Sequence, residues 1–80
     1  MYYTYVLLSD KDKKLYVGWT NNLIDRMQKH NGGLVFATKS RRPLKLVYYE
    51  ACLTKELAIN REKQLKTGFG RAYLKRRLEL

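Results

Sequence analysis

The chain has 80 residues, with 17 Lys+Arg against 7 Asp+Glu and a formal net charge of +10. A chain this short buries only about 60 % of its unfolded surface, so it holds one small core and reads as a single domain over residues 1–80. The charge favours a polyanionic partner, nucleic acid first, because neutralising phosphates releases counterions; a merely solubilising surface is the alternative. The single cysteine, Cys52, excludes an intramolecular disulfide, and one His with one Cys cannot build a structural zinc site. MYYTYVLLSD has no basic segment leading into a long apolar run, so neither secretion nor a membrane span is expected, and a soluble, cytoplasmic protein is.

In chain order, YYTYVLL (residues 2–8) is aromatic and β-branched, DKDKK supplies a charged turn, and LYVGW follows. The two runs predict an antiparallel hairpin whose second strand ends or kinks at Gly18. Asn21 or Asn22 caps a helix from Leu23, with Asp25 placed as in a capping box, and Asn31-Gly32-Gly33 stops it. LVFATKSRR (34–42) has no clear period and predicts a loop rich in positive charge. LKLVYYE after Pro43 predicts a third strand. Thr54 caps a second helix running to about Lys66, Gly68 ends it, and Gly70 onward, RAYLKRRLEL, predicts a third, basic helix. The fold class is α+β: a small three-stranded, mainly antiparallel sheet flanked by helices.

On the first helix, Arg26 and the only histidine, His30, border the apolar face marked by Leu23 and Met27, at the seam between helix and sheet. Helix geometry alone leaves two readings. Either Arg26 lays its methylenes on the core edge and His30 is a satisfied near-surface residue, or the two belong to a site. Glu62 flanks the apolar arc of the second helix, where a carboxylate needs a cation: a neighbouring Arg or Lys, or a metal ion. The seven carboxylates are scattered, which disfavours a two-metal centre, and one histidine excludes chemistry that needs two. Asp10 and Asp12 read as turn formers.

These residues form an ordered set: Tyr3-Thr4-Tyr5, then Tyr16-Val17-Gly18, then Arg26, His30 and a helical Glu62 in NREKQLK. In that order the chain resembles the GIY-YIG nuclease family, most closely its small stand-alone members, which look like the N-terminal nuclease domain of the bacterial excision-repair endonuclease. It departs from the family at Tyr3 and Thr4, where Gly and Ile are frequent, and it lacks an asparagine that many members carry after the glutamate. The resemblance implies the GIY-YIG endonuclease fold and metal-dependent hydrolysis of phosphodiester bonds, with DNA as partner, in repair or recombination.

Under that resemblance Glu62 holds one Mg²⁺ or Mn²⁺, and Arg26 presents its planar fork to the scissile phosphate. A tyrosine acts as base, Tyr5 before Tyr16, and must be lowered from its usual pKa of about 10 by a nearby cation. His30 accepts a proton from that tyrosine or orients it, and Gly18 permits close approach. Lys39, Arg41, Arg42 and Lys45, with Arg71, Lys75, Arg76 and Arg77 of the last helix, contact phosphates without reading sequence. Two other readings remain: a non-catalytic nucleic-acid-binding module of the same fold, which includes the case of a protein partner presenting the substrate, and a basic ribosome- or protein-binding scaffold.

Overall fold

A computed structural model describes residues 1–80. Strands β1 (Tyr2–Ser9), β2 (Leu15–Thr20) and β3 (Leu44–Cys52) form one antiparallel sheet in the order β2-β1-β3. Helix α1 (Leu23–Asn31) follows β2, and α2 (Lys55–Leu65) and α3 (Gly68–Leu78) follow β3. This is the expected three-stranded α+β architecture. Strand β1 is central, with Tyr5 opposite Gly18 on one side and opposite Tyr49 on the other. A register shift interrupts the β1–β3 ladder between Val6 and Leu7.

The central strand is covered on both faces, which explains its unbroken apolar run. On one face Tyr5, Leu7 and Leu44 pack with Tyr16 of β2 and with Leu23 and Met27 of α1. On the other, Val6 and Val17 meet Leu65 of α2 and Leu74 of α3. Each fully buried leucine there contributes roughly 1.5–3 kcal/mol. The buried Thr4 hydroxyl donates to the Ala58 carbonyl (2.8 Å), tying β1 to α2 across 54 positions of sequence. Glu50 of β3 accepts both Nε and Nη2 of Arg61 and the Tyr48 hydroxyl, so this carboxylate is committed on the α2–α3 side.

Local chemistry sets the element ends. Asn22 Oδ1 accepts from Asp25 N, and Thr54 caps α2 through Leu57 N. The reciprocal half of the box is absent, because the Asp25 carboxylate pairs with Lys29 at 3.0 Å while Thr20 Oγ1 takes Asn22 N. In the β1–β2 turn Asp12 Oδ1 accepts from Lys14 N, as expected of a turn former. Gly68 does not close α2: that helix stops at Leu65, and Gly68 opens α3, two residues ahead of the expected start. The cause is Thr67, whose hydroxyl accepts from Gly70 N and caps α3 directly after α2. The 34–42 segment contains a short 3-10 turn at Lys39–Arg41 that sends Thr38 inward. No helix is long and apolar enough to cross a membrane.

Candidate active site

The site is built where α1 meets the edge of the sheet. Gly18 lies opposite Tyr5 in the ladder, and the Tyr5 ring lies across it so closely that a Cβ there would stand 2.5 Å from the hydroxyl oxygen. Glycine is therefore required by the tyrosine's path across β2. Helix α1 brings Arg26 and His30, four residues apart, to the same hydroxyl: Arg26 Nε donates to Tyr5 Oη at 3.2 Å, and His30 Nε2 is hydrogen-bonded to it at 2.8 Å. Tyr16 packs edge-on to His30, ring centres 5.3 Å apart, and remains half-buried. The sequence places Arg26 and His30 on the helix–sheet seam, and the fold brings Tyr5, Tyr16, Gly18, Arg26 and His30 together.

His30 is 0 % exposed rather than near the surface, and its second nitrogen is also taken, Nδ1 standing 2.7 Å from Thr38 Oγ1. Burial first, and the Arg26 charge second, push its pKa down to about 4, so the ring is neutral at pH 7. Because a guanidinium only donates, the chain Arg26–Tyr5–His30–Thr38 admits two proton arrangements. Either Tyr5 donates to Nε2 and Nδ1–H donates to Thr38, or Thr38 donates to Nδ1 and Nε2–H donates to Tyr5. In the second, Tyr5 Oη accepts from two donors, the surroundings a phenolate requires. Thr38 escaped the sequence reading because nothing in an aperiodic loop marks a residue that folds back onto a helix.

Tyr5 itself is 1 % exposed, and burial raises its pKa, opposed by the hydrogen bond and charge of Arg26. Glu62 acts on the same hydroxyl from α2, its charge adding to the upward shift. Its side chain is 18 % exposed and pairs with Lys66 at 3.3 Å, so the carboxylate has the cation its position calls for. No three His, Cys, Asp or Glu side chains converge anywhere in the fold. One carboxylate with an exposed lysine as its only ion-pair partner fits an ion that keeps most of its waters and is completed by substrate phosphate, and does not fit a closed protein cage.

The predicted phosphate contacts are dispersed. Arg41 is drawn to Asp12 (Nε–Oδ2 2.6 Å) and the Lys14 carbonyl, clamping the 3-10 turn to the hairpin, so it is a brace with little free charge. Arg42 donates to the Lys39 carbonyl, while Lys39 Nζ lies 5.0 Å over the Phe36 ring. Lys45 is exposed on β3, and Arg71, Lys75, Arg76 and Arg77 are exposed on α3, across the sheet from α1. What sequence reasoning overlooked is an open cleft of about 480 Å³ at the end of the hairpin, walled by Trp19 and Tyr2 and by Arg26, Lys29 and Lys55. An aromatic beside Gly18 was the available signal.

The arrangement has counterparts in known proteins. Residues 1–77 match the family model described as the GIY-YIG catalytic domain. The chain belongs to the GIY-YIG family. Among its relatives, the UPF0213 protein of Syntrophus aciditrophicus is 47 % identical over 66 residues, spanning 80 % of this chain and 75 % of that protein. The UPF0213 protein CPE1444 of Clostridium perfringens is 46 % identical over 67 residues, 82 % of this chain and 71 % of the relative. The solution NMR structure of the UPF0213 protein BH0048 from Bacillus halodurans superposes with a TM-score of 0.55 at 32 % identity, covering 92 % of this chain and 82 % of that one. Family membership makes this a nuclease-family fold.

Proposed function

We propose that this GIY-YIG protein is a metal-dependent endonuclease that hydrolyses DNA phosphodiester bonds and serves repair or recombination. The observation that carries the reading is the shared hydroxyl of Tyr5: Arg26 and His30 both bond it, it lies over Gly18, and Glu62 acts on it electrostatically. A purely structural cluster has no need to hold an arginine, a neutral histidine and two tyrosines beside a carboxylate at a sheet edge.

Each residue takes a role from its geometry. Arg26 is protonated at any ordinary pH, and because Nε is turned to Tyr5, the Nη edge of its fork is the part that meets the non-bridging phosphate oxygens. Tyr5, enclosed and raised in pKa, orients Arg26 and holds the proton chain to His30 and Thr38. Tyr16 is the tyrosine that water can reach, and in this reading it takes the proton of the attacking water, ahead of Tyr5. Glu62 is the residue that would hold Mg²⁺ or Mn²⁺, which when bound supplies charge relief at the leaving 3′ oxygen.

The deciding experiment is cleavage of labelled single-stranded, duplex and branched DNA by the purified protein with Mg²⁺ or Mn²⁺, run beside Glu62→Ala. Cleavage by the wild type with binding but no cutting by the variant supports the reading. Equal binding with no cutting by either replaces it with the non-catalytic binding module.

A further inference from the structure

The cleft beside Arg26 is not needed to hold a phosphate, and its lining is not that of a phosphate site alone. Trp19 and Tyr2 supply aromatic surface, Asn21 supplies an amide, and Lys29 and Lys55 stand with Arg26 around them. Lys29 is partly neutralised by Asp25 at 3.0 Å, so the lining sums to three cations against one carboxylate. The cleft is open to solvent, and its volume of about 480 Å³ is several times what a phosphate group fills. Lys55 Nζ sits 5.3 Å from the centre of the Trp19 ring, so the ring face turned to the cleft is one that a cation already uses as a stacking surface and that a base reaches by displacing this exposed lysine.

We propose that this cleft is a nucleotide subsite: it seats one unpaired nucleotide adjoining the scissile phosphate, its base stacked on Trp19 and its flanking phosphates met by Lys29 and Lys55. The inference rests on the nuclease reading for the location of the scissile phosphate and deepens it by naming the substrate class, a strand with an unpaired nucleotide at the cut. The shared residue fixes the register. Arg26 lines the cleft on one side and donates to Tyr5 on the other, so whatever fills the cleft lies next to whatever Arg26 clamps. A base within a duplex has both faces covered by its neighbours and cannot offer one to a wall of the protein; an unpaired base can, at little cost. On stacking, the base takes the place of the Lys55 ammonium over the indole, and the lysine turns to the backbone phosphate. The amide of Asn21 then faces the edge of the base, while the Thr20 hydroxyl stays bound to the Asn22 backbone. One polar group of this kind gives weak base preference and no sequence code.

The test uses the chain's single tryptophan as its own reporter. In EDTA, Trp19 fluorescence is titrated with a thymidine hexamer, with a hexamer of abasic tetrahydrofuran nucleotides, and with a blunt-ended duplex. The expected result is quenching by the thymidine hexamer and none by the other two at matched occupancy, measured by anisotropy of end-labelled strands. Trp19→Leu should weaken the thymidine hexamer about tenfold, as expected for loss of one stacked base, and Trp19→Phe should restore most of it. Equal quenching by the abasic strand or by the duplex overturns the subsite, as does a Trp19→Leu protein that is folded by circular dichroism and binds unchanged. The same strands are then incubated with Mn²⁺. Cleavage without Trp19 quenching removes the subsite and leaves the nuclease; quenching without cleavage of any strand removes the nuclease and leaves the subsite.

Discussion

Replacing Gly18 by alanine is the sharpest test of how the site is assembled. The new Cβ would stand 2.5 Å from Tyr5 Oη, 2.7 Å from Cζ and 3.1 Å from Cε2, about an ångström inside ordinary contact. Gly18 has no left-handed φ, so alanine is not strained by its own backbone and the cost is steric. Neither side can yield cheaply, since the ring is 1 % exposed, its hydroxyl is held by His30 and Arg26, and the glycine backbone is paired across the ladder. Overpacking of this kind costs about 1–3 kcal/mol, and displacing the ring forfeits two hydrogen bonds worth roughly 1 kcal/mol each. The expected destabilisation is about 3–5 kcal/mol, a large share of the roughly 4–12 kcal/mol that a protein of this size commands. The melting temperature should fall by roughly 12–40 °C. Urea unfolding followed by circular dichroism measures it, and a Tyr5→Phe partner, which removes the nearest atom but leaves Cζ, should recover part of the loss. A change under about 0.5 kcal/mol, or strict additivity in the double variant, would refute the close approach of Tyr5 over Gly18.

Four further outcomes are expected. The folded pKa of His30, about 4 against 6.5 unfolded, means that the unfolded chain binds a proton the folded one refuses, so this residue's contribution is complete above pH 6.5 and is lost as pH falls toward 4. The loss reaches about 3 kcal/mol, and stability curves of the wild type and His30→Gln should converge across that window; parallel curves would contradict a neutral buried ring. Thr38→Val keeps the shape but leaves His30 Nδ1 without a partner, which should cost about 1–3 kcal/mol and shift the His30 ring ¹⁵N resonances, whereas unmoved resonances would exclude the bond. Gly70→Ala drives a Cβ into the Gln64 carbonyl oxygen and to 2.5 Å from Leu65 Cα, backbone atoms that cannot step aside, so thermal unfolding should show a larger loss than for Gly18→Ala. Arg26→Lys retains charge but loses the Nε bond to Tyr5 and the two-pronged fork, and should lower DNA cleavage by about 10²-fold or more with modest effect on binding; cleavage at the wild-type rate would remove Arg26 from the site.

The local elements were legible because their signals are local. Aromatic and β-branched runs mark the strands, Asn22 and Thr54 mark helix starts, and the spacing of Arg26 and His30 on α1 sets both on one seam whatever the rest of the chain does. The order of Tyr5, Tyr16, Gly18, Arg26 and Glu62 was enough to indicate the family. Tertiary structure decided the rest. Periodicity says which side of an element is apolar but not which segment will cover it, so the central place of β1, paired with β3 from a distant part of the chain, had no local sign. For the same reason an aperiodic loop concealed Thr38, whose hydroxyl meets His30 only because the 3-10 turn folds under α1, and Arg41, whose charge is spent on Asp12 at a separation of 29 residues. The cleft at Trp19 and Lys55 arises where the ends of β2, α1 and α2 converge, and such a meeting is a property of the packed elements rather than of any stretch of sequence.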